Sequence, residues 1–81
     1  MNIFEEIARE RCGQDAKWGI QNHAPIEWLV ILSEEVGEAA HAVLSRDRSL
    51  YRDELLHVAA VAVAAIEGLD AGRIGVERRQ E

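Results

Sequence analysis

One cysteine, one proline and four aromatic residues are all that this 81-residue chain holds of those types, and each scarcity excludes something. With Cys12 alone, no intrachain disulfide can form and a cysteine-rich zinc site is ruled out. That suits a reducing compartment. Basic residues are outnumbered 9 to 15 by acidic ones, and the net charge of −6 provides no broad positive field for gripping a phosphate backbone. Polymeric DNA or RNA is not an expected partner, whereas a small anion is, because a divalent cation can reverse the local field. Long apolar runs are missing too: the longest, Leu55 to Ile66, is too short for a membrane span and is broken by His57. The first residues, Met1-Asn2-Ile3-Phe4-Glu5-Glu6, carry acids where a signal peptide has its apolar core. The expectation is a soluble, cytoplasmic protein without a membrane partner. There is no Gly-rich phosphate loop, no Gly-x-Gly-x-x-Gly and no Ser/His/Asp constellation, so parallel-sheet nucleotide folds are excluded.

What is present is helical pattern and apolar mass. Asn2 is a good N-cap with Glu5 three positions on, and Phe4, Ile7, Ala8 and Cys12 form a loose stripe on a first helix that Gly13 should weaken or end. Asp15 to Ala24, which includes Lys17, Trp18, Gln21, Asn22 and His23, lacks periodicity and reads as a structured loop. Pro25 fits the first turn of a second helix. There Leu29, Leu32, Val36, Ala40 and Val43 recur every three or four residues, as far as about Leu44 to Arg46. A polar turn, Ser45 to Ser49, leads into a third helix from about Leu50 to Gly68, with Asp47 or Ser49 as candidate caps. Its middle is apolar nearly all round, as in a helix enclosed by neighbours. The reading is an all-α domain over residues 1–70, about three helices per chain, with a polar tail over 71–81 that makes a brief contact through Ile74 and Val76. Because 48% of so short a chain is hydrophobic, completion of the bundle by a homodimer or homotetramer is expected.

The chemistry concentrates in two pairs. Glu35-x-x-Glu38 on the second helix and Glu54-x-x-His57 on the third are each spaced i, i+3, so each pair leaves one face of its helix, and hairpinned helices could aim all four groups at one point. Three carboxylates and an imidazole in one place ask for a cation. A solvated acidic helix face is the ordinary explanation of such glutamates. Two features argue against it: like charges at Glu34 and Glu38 cost a helix about 0.2–0.5 kcal/mol unless neutralised, and Glu54 and His57 open the most apolar helix, where unpaired polar groups are expensive. Glu34 is a candidate further ligand or a base that orients water. Lys17 is a candidate phosphate contact, and Trp18, with Lys17, Asn22 and His23 around it, is a candidate stacking platform. Arg46, Arg48 and Arg52 read mainly as turn charge and helix capping.

The run Trp28-Leu29-Val30-Ile31-Leu32-Ser33-Glu34-Glu35-Val36-Gly37-Glu38-Ala39 resembles the first motif of the MazG-like nucleoside triphosphate pyrophosphohydrolases, and Tyr51-Arg52-Asp53-Glu54-Leu55-Leu56-His57-Val58-Ala59 resembles their second. Lys17-Trp18-Gly19-x-Gln21-x-His23 is similar to the segment before the first motif in short members. The resemblance covers residues 5 to 68. It implies a helical dimer, or dimer of dimers, that hydrolyses a nucleoside triphosphate to the monophosphate and pyrophosphate with Mg²⁺. It also implies metal ligation by Glu35, Glu38 and Glu54, and a role in base stacking for aromatic and histidine residues near the first motif. His57 stands where the family has aspartate, and an imidazole suits Mn²⁺, Fe, Ni²⁺ or Zn²⁺ better than Mg²⁺. The same residues leave two alternatives open. One is a degenerate oligomer that binds without turnover. The other is a ferritin-like di-metal bundle, which also uses a glutamate with Glu-x-x-His.

Overall fold

The computed structural model describes residues 1–75, which form three helices, α1 (Ile3–Trp18), α2 (Pro25–Leu44) and α3 (Arg48–Asp70), and no strand among them. The all-α class expected from the periodicity is what is observed. Asn2 caps α1 as anticipated, its Oδ1 accepting the Glu5 N–H at 2.9 Å. Gly13 does not end this helix, which continues to Trp18 and stops at Gly19, at φ +73°. A mid-helix glycine costs about 1 kcal/mol relative to alanine. It is offset here by Arg11, which bridges Gln14 and Asp15 on the next turn and reaches Glu67 of α3 at 2.7 Å. Lys17 and Trp18 therefore lie in a helical last turn, not in the loop expected from Asp15 onward.

Pro25 opens α2 as expected, and Glu27 turns back to accept the Ala24 N–H at 2.7 Å. The turn to α3 places Arg46 at φ +56°, a left-handed position, and Asp47 accepts the Leu50 N–H at 3.0 Å. With Asp47 as the cap, α3 starts two residues earlier than its periodicity indicated.

Helix α3 is central: α2 packs along one side and α1 along another, while the backbones of α1 and α2 do not approach each other among the described residues. The α2–α3 seam is built on small side chains, Ala39, Ala42, Ala60, Ala64 and Gly68, with Trp28 and Val61 as its bulkiest buried members. Small residues draw the helix axes together, so the face of α2 turned to α3 is Trp28, Leu32, Glu35, Ala39 and Ala42. The stripe expected to fill the core is rotated by one residue: Leu29, Val36 and Val43 are half exposed. Helix α3 is likewise enclosed on part of its circumference only, since Leu55, Ile66 and Leu69 remain exposed. Helix α1 buries no residue. It is held by ion pairs, Glu6 with Arg52 and Arg11 with Glu67, whose order makes it run in the same direction as α3.

After α3, Gly72 at φ +72° reverses the chain and residue 75 comes back against the α1–α2 linker. A Cβ on Gly75 would lie 2.7 Å from the Ala24 nitrogen and 2.8 Å from the Asn22 carbonyl oxygen, so only glycine permits this approach. Ile74 makes the brief contact anticipated for it, lining an apolar groove with Pro25, Trp28 and Leu69. Val76 and the rest of the tail lie outside the described residues.

Candidate metal centre

Register along the α2–α3 seam decides which polar groups meet. Glu35 falls on the inward face of α2 between Leu32 and Ala39, and Glu54 and His57 occupy the first turns of α3 opposite it. The Nδ1 of His57 lies 3.3 Å from Glu54 Oε2 and 3.8 Å from Glu35 Oε2. One ligand atom from each of the three residues lies within 4.8 Å of the others. The Glu54 side chain is only 13% exposed, yet Oε2 of Glu35 is buried with no hydrogen-bond partner among the described residues. A carboxylate oxygen left in that condition is costly unless a cation or donor meets it.

Glu38, the fourth residue anticipated, is exposed at the rim. Its carboxyl is held above the usual carboxylate range, first by a hydrogen bond with Glu54 and then by the negative charges of Glu35 and Glu54, with His57 opposing.

The donor set tests which ion fits. Two carboxylates and one imidazole nitrogen in contact range suit Mn²⁺, Fe²⁺, Co²⁺ or Zn²⁺. Mg²⁺ takes oxygen ligands and would use only the carboxylates and water. The residues present thus fit a divalent cation, with a nitrogen that favours the transition metals.

Beside the cluster is an open cleft of about 310 Å³, lined by Glu10, Gly13, Gln14, Lys17 and Trp18 of α1 together with Glu35 and His57. Two of the three residues expected to touch substrate are therefore next to the carboxylates. The Lys17 ammonium sits 4.7 Å from the centre of the exposed Trp18 ring, within cation–π range. His23 is elsewhere. Its ring meets Trp28 edge-on at 4.8 Å and lines the apolar groove on the other side of the seam. Glu34 also faces away, on an outer surface with Ile26, Leu29, Val30 and Ser33. Arg52 is engaged by Glu6 through two bonds, of 2.7 and 3.0 Å.

Glu10 was not anticipated. Its Oε1 lies 3.6 Å from Nε2 of His57, so the imidazole has a carboxylate on both ring nitrogens. The signal was the series Glu10, Gln14, Lys17 at helical spacing, which forms one face only if α1 runs through Gly13. No helix among the described residues is long and apolar enough to cross a membrane. Compared with known proteins, the chain matches no family model, no curated protein and no solved structure.

Proposed function

We propose that this chain is a metal-dependent nucleoside triphosphate pyrophosphohydrolase of the MazG-like type, working in the cytoplasm where such substrates are found. The observation that supports it most is the meeting of Glu35, Glu54 and His57 from two helices beside a cleft that carries a lysine and an exposed tryptophan. A divalent cation held there supplies charge to the phosphate oxygens and acidifies a water for attack. Mg²⁺ or Mn²⁺ would serve. Glu35, Glu54 and His57 would hold the ion, with Glu38 beside them at the rim as a further carboxylate. Lys17 pairs with the polyphosphate, and the Trp18 face takes the base. The α2–α3 seam brings the three ligand groups together and α1 sets Lys17 and Trp18 beside them, and such positioning is most of what phosphoryl transfer requires.

The assembly is part of the same reading. Leu29, Val36 and Val43 of α2, with Leu55, Ile66 and Leu69 of α3, are exposed, and no large side chain is fully buried among the described residues. A second copy packed on this surface gives the homodimer that the small core lacks, and pairing of two dimers gives a homotetramer. ³¹P NMR of the products from a panel of ribo- and deoxyribonucleoside triphosphates is the test. Monophosphate and pyrophosphate are expected, and diphosphate with orthophosphate would refute the assignment.

A second reading is favoured by the Glu54/His57 pair itself, which with Glu35 is half of a ferritin-like di-iron site. Anaerobic iron loading followed by oxygen would give an oxidised di-iron absorption band in that case and none in ours. An oligomer without turnover would give neither product nor band.

A further inference from the structure

His57 is the one group of the cluster with two different faces, and α1 supplies what lies on the second. A neutral imidazole carries one N–H and one lone pair. Nδ1 points at Glu54 and Glu35, at 3.3 and 3.8 Å, and Nε2 points at Glu10 at 3.6 Å. Glu10 meets the ring at Nε2, across the imidazole from the Nδ1 that faces Glu35 and Glu54. Without an ion, Nδ1–H can donate to Glu54. With an ion among the three donors Nδ1 must be bare, and the proton then has to sit on Nε2, where Glu10 is the carboxylate that faces it.

We propose that Glu10 is a positioning residue, which holds His57 as the Nε2–H tautomer so that Nδ1 is presented to the ion beside Glu35 and Glu54. This rests on the cation reading given above. Carboxylates behind metal-bound histidines do this widely, fixing ring orientation and raising the basicity of the ligating nitrogen. The consequence here is selectivity: the better the nitrogen is presented, the more the site favours ions that accept nitrogen over Mg²⁺. Helix α1 buries no residue, so its register on α3, and with it the place of Glu10, depends on the flanking pairs Glu6–Arg52 and Arg11–Glu67. Each is only 2.7 Å long, and they clamp α1 on either side of Glu10. The separation of 3.6 Å is one small side-chain rotation from a hydrogen bond.

The test is ¹⁵N NMR of protein labelled at histidine, titrated with Zn²⁺, together with Zn²⁺ and Mg²⁺ affinities of the wild type, Glu10→Ala and Glu10→Gln. Glutamine removes the same charge as alanine but keeps an oxygen that can accept the Nε2–H. Expected are a Zn²⁺-bound Nδ1 with a protonated Nε2, a 10- to 100-fold loss of Zn²⁺ affinity in Glu10→Ala, a loss of only a few-fold in Glu10→Gln, and little change for Mg²⁺ in either. Zn²⁺ bound through Nε2, Glu10→Ala binding as tightly as the wild type, or Glu10→Gln as weak as Glu10→Ala would each overturn the assignment. If no divalent ion perturbs His57 in the wild-type protein, the cation reading itself fails as well.

Discussion

Replacing His57 by aspartate puts a fourth charge into the cluster, and its cost can be worked from the geometry. The ring nitrogens lie 3.3 Å from Glu54, 3.8 Å from Glu35 and 3.6 Å from Glu10. Aspartate is shorter, so its charge sits roughly 5 Å from each of these carboxylates. At that distance a like-charge pair costs about 0.8 kcal/mol in water and about 3 kcal/mol at an effective dielectric of 20. The His57 side chain is 38% exposed, which places the site near the watery end. Three pairs then sum to about 2–3 kcal/mol, and rotation of Glu10 toward solvent leaves about 1–2 kcal/mol. A domain of this size loses about 4–8 °C of Tm per kcal/mol, so His57→Asp in EDTA should melt about 5–15 °C below the wild type. Millimolar Mg²⁺ should reverse the order, because the variant then offers an all-oxygen shell. Thermal unfolding by circular dichroism at 222 nm, with EDTA and with a Mg²⁺ series, reads both effects. An EDTA Tm equal to or above the wild-type value would refute the convergence of carboxylates on this position.

Glu38 gives a pH signature. Its proton affinity is raised in the folded state, so its contribution is fully present below the ordinary carboxylate pKa and is lost as pH rises through the raised value. Glu38→Gln, which mimics the protonated form, should therefore be more stable than the wild type at pH 7.5 in EDTA and no more stable at pH 3.5, as urea titrations at the two values would show. Arg46→Gly should stabilise the chain by about 0.5–1 kcal/mol, since glycine takes the φ +56° turn without strain, and differential scanning calorimetry checks it. Gly75→Ala should release residues 71–75 from the linker, because the added Cβ would meet backbone at 2.7 Å, and hydrogen exchange at Asn22 to Ala24 should quicken accordingly. On the proposed assembly, the wild type should sediment as a dimer or larger in analytical ultracentrifugation and Val36→Glu combined with Ile66→Glu as a monomer, with the helical signal kept; a monomeric wild type would refute the assembly.

Much of this architecture is legible in the chain because its signals are local. Asn2 with Glu5, Pro25, and Asp47 mark three helix starts, and i, i+3 spacing puts Glu54 and His57 on one face of α3, which the hairpin turns toward Glu35. What was not legible depends on partners distant in sequence. The continuation of α1 past Gly13 rests on Arg11 reaching Glu67, 56 residues away, and once that turn is helical Lys17 and Trp18 swing to the carboxylates. The inward face of α2 lies one residue from its most apolar stripe, because leucine and valine outrank alanine in apolarity. In a seam this close Ala39 and Ala42 go inside, while Leu29, Val36 and Val43 are left half exposed. His23 was grouped with Lys17 and Trp18 on proximity in sequence, but the left-handed turn at Gly19 separates them and sends the imidazole to Trp28. Glu34, adjacent to Glu35, was separated from it by the 100° step between neighbours on a helix.

The central claim is that Glu35 and Glu54 hold a cation that makes the adjacent cleft hydrolyse nucleoside triphosphates. It is tested most directly by initial rates of pyrophosphate release with Mn²⁺, with Mg²⁺ and with EDTA, for the wild type, Glu35→Gln and Glu54→Gln. The account predicts turnover that needs the divalent ion and falls at least about 100-fold in either variant, a loss of roughly 2.7 kcal/mol of transition-state stabilisation. Turnover that survives in both variants would contradict it, as would a folded wild-type protein that releases no pyrophosphate from any nucleotide.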